Sequence, residues 1–201
     1  MKGTVAGLTH YFDERPSVGS APGSVRLVLP DVTLDLATDA GVFSRGGVDP
    51  GTKLLLLEAP APAATGHLLD LGCGYGPIAL VLARRSPGAT VWAVDVNERA
   101  RELTAANAAA AGLANVRVCA PEEVPEDVRF STVWSNPPIR VGKEALHELL
   151  LRWLGRLDGS AVLVVQKHLG SDSLARWLGE QGHGVSRLVS RAGYRLLEVR
   201  P

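Results

Sequence analysis

The chain has 201 residues, 46% of them hydrophobic, enough for the core of one domain. Its 21 Lys and Arg residues balance 21 Asp and Glu residues, which argues against a polyanion binder held by bulk charge and leaves room for a local basic patch. The two cysteines, Cys73 and Cys119, form no CxxC pair, so no zinc site or disulfide framework is indicated, and a reducing, cytoplasmic setting is expected.

The opening stretch "MKGTVAGLTHYFDERPSV" lacks the apolar segment of a signal peptide. No apolar run approaches the roughly 18 residues of a membrane span. Residues 14–24 are rich in Pro, Gly and Ser and read as a loop. "VRLVLP" and "VTLDLAT" predict a β-hairpin around Pro30–Asp31. "AGVFSRGGVDPGT" is a glycine-rich loop, "KLLLLEAP" a short helix stopping at Pro60, and residues 59–65 a linker.

From there strands and helices alternate. "HLLDLG", "ATVWAVDV", "NVRVCA", "FSTVWSN" and "GSAVLVVQK" read as strands. Between and after them lie helices at "PIALVLARR", "ERARELTAANAAAAG", "GKEALHELLLRWLGRL" and "SDSLARWLGEQG". Pro77 suits a first helical turn, and Gly112 ends the alanine-rich helix. "HGVSRLVSR" and "YRLLEVR" close the chain as a hairpin linked at Ala192–Gly193, so one of its strands must run antiparallel. The pattern predicts an α/β fold: a Rossmann-like, doubly wound, mostly parallel seven-stranded sheet with an antiparallel C-terminal hairpin, plus a short N-terminal β-hairpin. One domain over 1–201 is expected, with residues 1–40 as an extension carrying the hairpin and 41–201 as the catalytic core.

"LLDLGCGYGPIAL" is the strongest local signal. Gly72, Gly74 and Gly76 sit between a strand and a helix, at the sheet edge where α/β proteins bind ligands. Glycines alone are weak evidence, because tight strand–helix turns use them anyway. Two acids strengthen it. Asp95 ends the next strand, where a carboxylate accepts hydrogen bonds from ribose hydroxyls. Asp70 precedes the glycines, where it would repel a phosphate and suit a cation. The spacing is G-x-G-x-G rather than G-x-G-x-x-G. Pro77 also removes an N–H that a pyrophosphate would need. A dinucleotide is therefore disfavoured, and S-adenosylmethionine, cationic and free of phosphate, is favoured.

With "VDVN" and "SNPPI", the "DLGCGYG" stretch resembles the class I S-adenosylmethionine-dependent methyltransferases. "DAGVFSRGGVDPGTKLLL" and "NPPIRVGKEALHELL" resemble the small-domain methyltransferases among them, a group that includes guanine-N2 methyltransferases of small-subunit ribosomal RNA. The resemblance runs from about Asp39 to Arg200. The larger members carry an additional N-terminal domain, for which this length leaves no room, so the compact single-domain type is expected.

The resemblance implies a cofactor set of Asp70, Gly72, Cys73, Gly74, Gly76, Asp95, Val96 and Asn136, with Asp70, Gly72 and Gly74 at the methionine end and Asp95 at the ribose. Asn136, Pro137 and Pro138 match the NPP motif of amino-methylating enzymes and form the expected catalytic set. Two positions depart from the pattern. Ala120, with Glu122 nearby, stands where the family often has an acid near the adenine. Ile139 replaces the aromatic that often follows the prolines.

An exocyclic amine is a poor nucleophile because its lone pair is delocalised into the ring. The Asn136 side-chain oxygen and the Pro137 carbonyl are placed to accept its two N–H groups and aim the lone pair, with the prolines stiffening the loop. A plain turn after a strand is the alternative. Phe43, Arg45, Ile139, Arg140 and Lys143 are the candidate substrate residues, Phe43 as the stacking partner of a base. The alternatives are an ordinary loop with one buried aromatic and a solvated helix start. Cys73 reads as a small filler in a tight turn. His10, His67, His147, His168 and His183 show no ligand spacing, so no metal is expected. Trp92, Trp134, Trp153 and Trp177 read as core. Arg187, Arg191, Arg195 and Arg200 form either a basic patch or a water-facing strand edge.

The expected activity is methylation of an exocyclic amino group, foremost guanine N2 in small-subunit ribosomal RNA, with ribosomal RNA or the ribosomal subunit as partner and no membrane. Protein glutamine and DNA adenine offer comparable nitrogens. A cofactor-binding assembly protein without catalysis is the non-enzyme alternative, and the intact Asn136–Pro137–Pro138 counts against it.

Overall fold

The computed structural model describes residues 18–201. The expectations placed on residues 1–17, including the leader reading and His10, lie outside the described residues.

Strands β1 (Gly23–Val28) and β2 (Thr33–Thr38) form the predicted hairpin around Pro30–Asp31, with Val28 opposite Thr33. Helix α1 (Pro50–Glu58) starts three residues before the predicted stretch, because Asp49 caps it and Pro50 takes its first turn. Then follow β3 (Thr65–Leu71), α2 (Pro77–Arg85), β4 (Gly88–Val94), α3 (Glu98–Ala110), β5 (Val116–Cys119), β6 (Phe130–Ser135), α4 (Lys143–Leu154), β7 (Leu157–Gln166), α5 (Ser171–Glu180), β8 (Gly184–Arg191) and β9 (Tyr194–Arg200).

The main sheet has seven strands in the order β5-β4-β3-β6-β7-β9-β8. The first five are mutually parallel, and β9 inserts antiparallel between β7 and β8. The two-residue link at Ala192–Gly193 forces that inversion: both residues have positive φ, and a tight hairpin joins only antiparallel strands.

The sheet is covered on both faces, and its strands divide their side chains with period two. Leu68, Val91, Ala93, Trp134, Val162, Val164 and Leu196 point into one core with α1, α2 and the N-terminal hairpin. Leu69, Trp92, Val94, Val133, Leu163, Val165, Leu197 and Val199 point into the other, with α4 and α5. Trp92, Trp134 and Trp153 are core, as expected. Trp177 is only half-buried and stacks on His147 with ring centroids 3.5 Å apart, because its position on α5 faces the rim of α4.

The hairpin belongs to the same core as the sheet, through Leu27, Leu29, Leu34 and Leu36. Asn107 on α3 fastens it. Its side-chain oxygen accepts the Ala37 N–H at 2.7 Å, and its Nδ2 donates to the Ala37 carbonyl at 2.9 Å and the Tyr75 carbonyl at 2.8 Å. One buried amide thus ties hairpin, helix and glycine loop together. The arginines of the C-terminal hairpin are neutralised rather than gathered into a patch: Arg187 and Arg195 meet Asp172, Arg191 meets Glu58, and Arg200 meets Glu198.

Asn107→Ala leaves the Ala37 amide and two carbonyls without partners. It should lower unfolding stability by about 2–3 kcal/mol in urea titration, the scale of buried polar groups left unsatisfied.

Candidate active site

The chain order reverses between β3 and β6, which places a crevice at their carboxyl ends. The pairing is parallel and in register, Leu68 with Thr132, Leu69 with Val133 and Asp70 with Trp134. The Ser135 hydroxyl donates to the Leu71 carbonyl at 2.7 Å and extends the contact past the last ladder pair. The glycine loop after β3 and the Asn136 loop after β6 therefore leave the sheet side by side. The cleft between them is lined by Phe43, Ser44, Asp49, Thr52, Gly72, Cys73, Gly74, Tyr75, Pro77, Ile78 and Asn136.

Gly72 and Gly74 have φ of +79° and +57°, and a Cβ at either would meet nothing within 4 Å. Their backbone is open to a ligand. Gly76 differs. Its φ is +94°, and a Cβ would lie 2.8 Å from Leu80 Cδ1 and 3.0 Å from Thr104 Cγ2. Protein fills the space at Gly76, which serves the entry to α2. Cys73 is a filler, as the sequence suggested: it is 3% exposed, the Thr104 hydroxyl lies 3.6 Å from its sulfur, and burial pushes its thiol well up.

Asp95 pins the loop from the side. One carboxylate oxygen accepts the Gly74 N–H and the other the Asn97 N–H, both at 2.9 Å. Arg101 holds the Asp95 and Val96 carbonyls from behind, at 2.9 and 2.7 Å. Asp70 sits beneath the loop, wholly buried. Its Oδ2 accepts the Ala79 N–H at 2.8 Å, and its Oδ1 has no hydrogen-bond partner among the described residues. Burial pushes the Asp70 carboxyl up to about 8; the Ala79 N–H opposes the rise and the Asp95 charge adds to it. Burial likewise raises Asp95, against its backbone hydrogen bonds.

These features fit S-adenosylmethionine. Two glycines leave room, a buried carboxyl oxygen without a partner among the described residues lies below them, and no described Lys or Arg lines the cleft to receive a phosphate. Pro77 opens α2 without an N–H. A cation above the loop favours the ionised form of Asp70. Ala120 is 7% exposed, and its N–H is taken by the Glu123 carboxylate at 2.6 Å, while Glu122 is exposed.

The segment from Asp39 to Asp49 straps the cleft. Asn97 donates to the Gly41 carbonyl at 2.9 Å, the Thr38 hydroxyl to the Arg45 carbonyl at 3.0 Å, and the Tyr75 hydroxyl to the Gly47 carbonyl at 3.4 Å. Phe43 lines the cleft and is 41% exposed, so it is not the buried aromatic of an ordinary loop.

On the facing side, the Asn136 loop is shaped by its second proline. Pro138 has φ −75° and ψ 76°, and the Ile139 N–H donates to the Pro137 carbonyl at 2.8 Å. That is an inverse γ-turn, whose φ the pyrrolidine ring already supplies. The Pro137 carbonyl so keeps one lone pair. Both hydrogens of the Asn136 Nδ2 are used, one by Asp49 Oδ2 at 2.9 Å and one by Thr52 Oγ1 at 3.0 Å.

Asp49, Thr52, Ser44 and Tyr75 were missed as site residues. Asp49 and Thr52 read in sequence as part of a glycine-rich loop, and nothing local tells that Asn136 lies opposite. Of the expected substrate residues whose side chains are described, Phe43 alone lines the cleft. Ile139 packs against the α4–α5 core, since the γ-turn rotates it away. Arg45 and Lys143 are exposed and outside the lining, and the Arg140 side chain is outside the described residues. Among the described residues no group of His, Cys, Asp and Glu is placed to hold a metal ion, and no helix is long and apolar enough to cross a membrane.

The methyltransferase small domain family model matches residues 33–198. The protein YbxB of Bacillus subtilis (strain 168) is 36% identical over 196 residues, covering 95% of this chain and 98% of its own. The ribosomal RNA small subunit methyltransferase C of Shewanella amazonensis is 30% identical over 174 residues, covering 83% of this chain and 50% of its own. Among solved structures, the T. thermophilus 16S rRNA N2 G1207 methyltransferase (RsmC), in complex with AdoMet and guanosine, superposes with a TM-score of 0.73. It shares 26% identity and covers 92% of this chain and 52% of its own. The chain thus spans about half the length of these methyltransferase C relatives.

The raised Asp70 carboxyl sets a pH dependence. The folded state keeps this proton up to about pH 8, whereas the unfolded chain loses it near pH 3.8. The folded state therefore binds more protons in that window, and its stability falls as pH rises through it. Asp70→Asn removes that dependence. Its melting temperature should gain on wild type as pH goes from about 4 to 8, by roughly 10 °C or more at the upper end, in ligand-free scanning calorimetry.

Proposed function

The chain belongs to the methyltransferase small domain family, and from that premise we propose that it methylates the exocyclic N2 of a guanine in small-subunit ribosomal RNA. It is an S-adenosylmethionine-dependent methyltransferase. The finer reading rests above all on one observation: the open Gly72–Gly74 backbone and Asn136, the first residue of the Asn136–Pro137–Pro138 loop, line a single cleft. The RNA and the guanine N2 are carried over from the methyltransferase C relatives, one of which was solved with guanosine. The reading takes residues 18–201 as one catalytic domain.

Gly72, Gly74, Asp70 and Asp95 hold the cofactor, with Asp95 at the ribose. When bound, the cofactor supplies an electrophilic methyl group on a sulfonium. Asn136 Oδ1 accepts one N–H of the guanine amine, and the spare lone pair of the Pro137 carbonyl accepts the other. With both hydrogens held, the nitrogen lone pair turns out of conjugation toward the methyl. The amine proton leaves to solvent after transfer, so no strong side-chain base is needed. The gain comes from fixed acceptors that need no reorganisation. Phe43 stacks on the base, which must be out of its own stack to enter the cleft.

Asn136→Ala should keep S-adenosylmethionine affinity in calorimetry and lose turnover by roughly 10²–10³. A variant with near-normal turnover would return this loop to being a turn. Phe43→Ala should raise the RNA KM about tenfold, the low end for loss of one stacked base, with cofactor affinity unchanged. The substrate is decided by supplying a methyl-labelled donor with small ribosomal subunits, naked rRNA, DNA and a glutamine-bearing protein. Label in N2-methylguanosine supports the reading. Label only in glutamine or adenine overturns it.

A further inference from the structure

Asn136 has two chemically different ends, and its function depends on which one faces the cleft. A carboxylate can only accept hydrogen bonds, so the Asn136 atom 2.9 Å from Asp49 Oδ2 must be the amide nitrogen. Thr52 Oγ1 takes the second hydrogen at 3.0 Å. With both donors committed, the oxygen is the end left for the cleft. Rotated by 180°, the amide would set its oxygen against a carboxylate and present two donors to a substrate N–H, which repels it.

From this arrangement we propose that Asp49 and Thr52 are positioning residues that lock the Asn136 amide in its acceptor orientation, making the start of α1 part of the catalytic apparatus. The proposal rests on the reading of Asn136 as the amine acceptor.

The two residues are themselves held. Asp49 Oδ2 also accepts the Thr52 N–H at 3.0 Å, so one oxygen caps α1 and aims Asn136. Thr52 is 4% exposed. Gly51 between them lies against an aromatic ring. A Cβ there would sit 2.6 Å from Tyr194 Cε1 and 2.9 Å from Asp49 Oδ2. Tyr194 is fixed in turn by a hydrogen bond from Gln166 Nε2 to its hydroxyl, at 3.2 Å. A path of contacts thus runs from the ends of β7 and β9, through Tyr194 and the first turn of α1, to the Asn136 amide. Direct hydrogen bonding to a catalytic side chain from a buried, braced helix start is what preorganisation requires.

The test separates aiming from capping and folding. Asp49→Ser keeps a good helix cap but is too short to reach Asn136. Thr52→Val keeps shape and loses the acceptor, and Thr52→Ser restores it. With S-adenosylmethionine and an unmodified small-subunit rRNA transcript, Asp49→Ser and Thr52→Val should each lower kcat about 10- to 100-fold, the range seen when a supporting hydrogen bond behind a site residue is lost. The RNA KM, the cofactor affinity and the melting temperature should stay near wild type, and Thr52→Ser should recover most of the turnover. In ligand-free protein, the Asn136 side-chain amide protons, assigned by their disappearance in Asn136→Ala, should resist solvent exchange in wild type and lose that protection in both damaging variants.

A charge exchange completes the test. Asn136→Asp alone sets two carboxylates side by side and should be impaired. Asn136→Asp with Asp49→Asn restores one donor facing one acceptor and should exceed the single variant at least tenfold. Normal kcat in Asp49→Ser and Thr52→Val, or a kcat loss matched by equal losses of cofactor affinity and melting temperature, overturns the proposal. If wild type itself transfers no methyl to the RNA, the guanine reading fails instead; exchange-protected Asn136 protons in that case still support the lock, and unprotected ones overturn it.

Discussion

The parallel, in-register pairing of β3 with β6 is the constraint on which the site depends. Their last ladder pair is Asp70 with Trp134, and the Ser135 hydroxyl carries the contact on to Leu71. Neither strand is near the other in sequence. The chain must first place β4 and β5 on one side, then cross back to lay β6 on the other. That reversal opens a crevice no strand fills, and it sets a bare glycine backbone beside an asparagine. A one-residue slip in this ladder would turn Asp70 to the opposite face of the sheet and away from the start of α2.

Around that pairing, polar groups are bonded to one another at the expense of freedom. Asp95 spends both oxygens on backbone N–H groups, Asn136 both amide hydrogens on α1, and Asn107 its whole amide on the hairpin and glycine loop. Each such group would be costly if buried alone. Bonded, each becomes a rigid spacer between elements that share no sequence neighbourhood. Asp70 is the exception: it keeps one oxygen unpartnered among the described residues and takes up a proton because burial disfavours the charge. The N-terminal hairpin, which sequence alone would set apart as an extension, is drawn into the same unit by Asn107 and by four leucines in the shared core.

Much of the fold was legible because its signals are local. A continuous apolar run in "ATVWAVDV", a proline opening "PIALVLARR" and a glycine closing the alanine-rich helix each act within a few residues. The two-residue link at Ala192–Gly193 even announced the antiparallel strand. The structure added what the sequence left open where a local pattern had two outcomes. Trp177 has the right spacing for a core residue but lies at the α4–α5 rim. Ile139, expected beside the substrate, follows the γ-turn at Pro138 and packs, half-buried, against the α4–α5 core. The third glycine of the loop looked like its neighbours, although Leu80 and Thr104 occupy the space beside it.

By itself, then, the sequence determined the order of strands and helices, the glycine loop with its two acids, and the presence of an asparagine before two prolines. These depend on backbone preferences and on residue chemistry, which act over short stretches of chain. Tertiary structure alone decided which end of Asn136 faces the cleft. Its partners Asp49 and Thr52 lie 87 and 84 residues away. An amide carries a donor and an acceptor of nearly equal shape, so only neighbours brought in by the fold can choose between them.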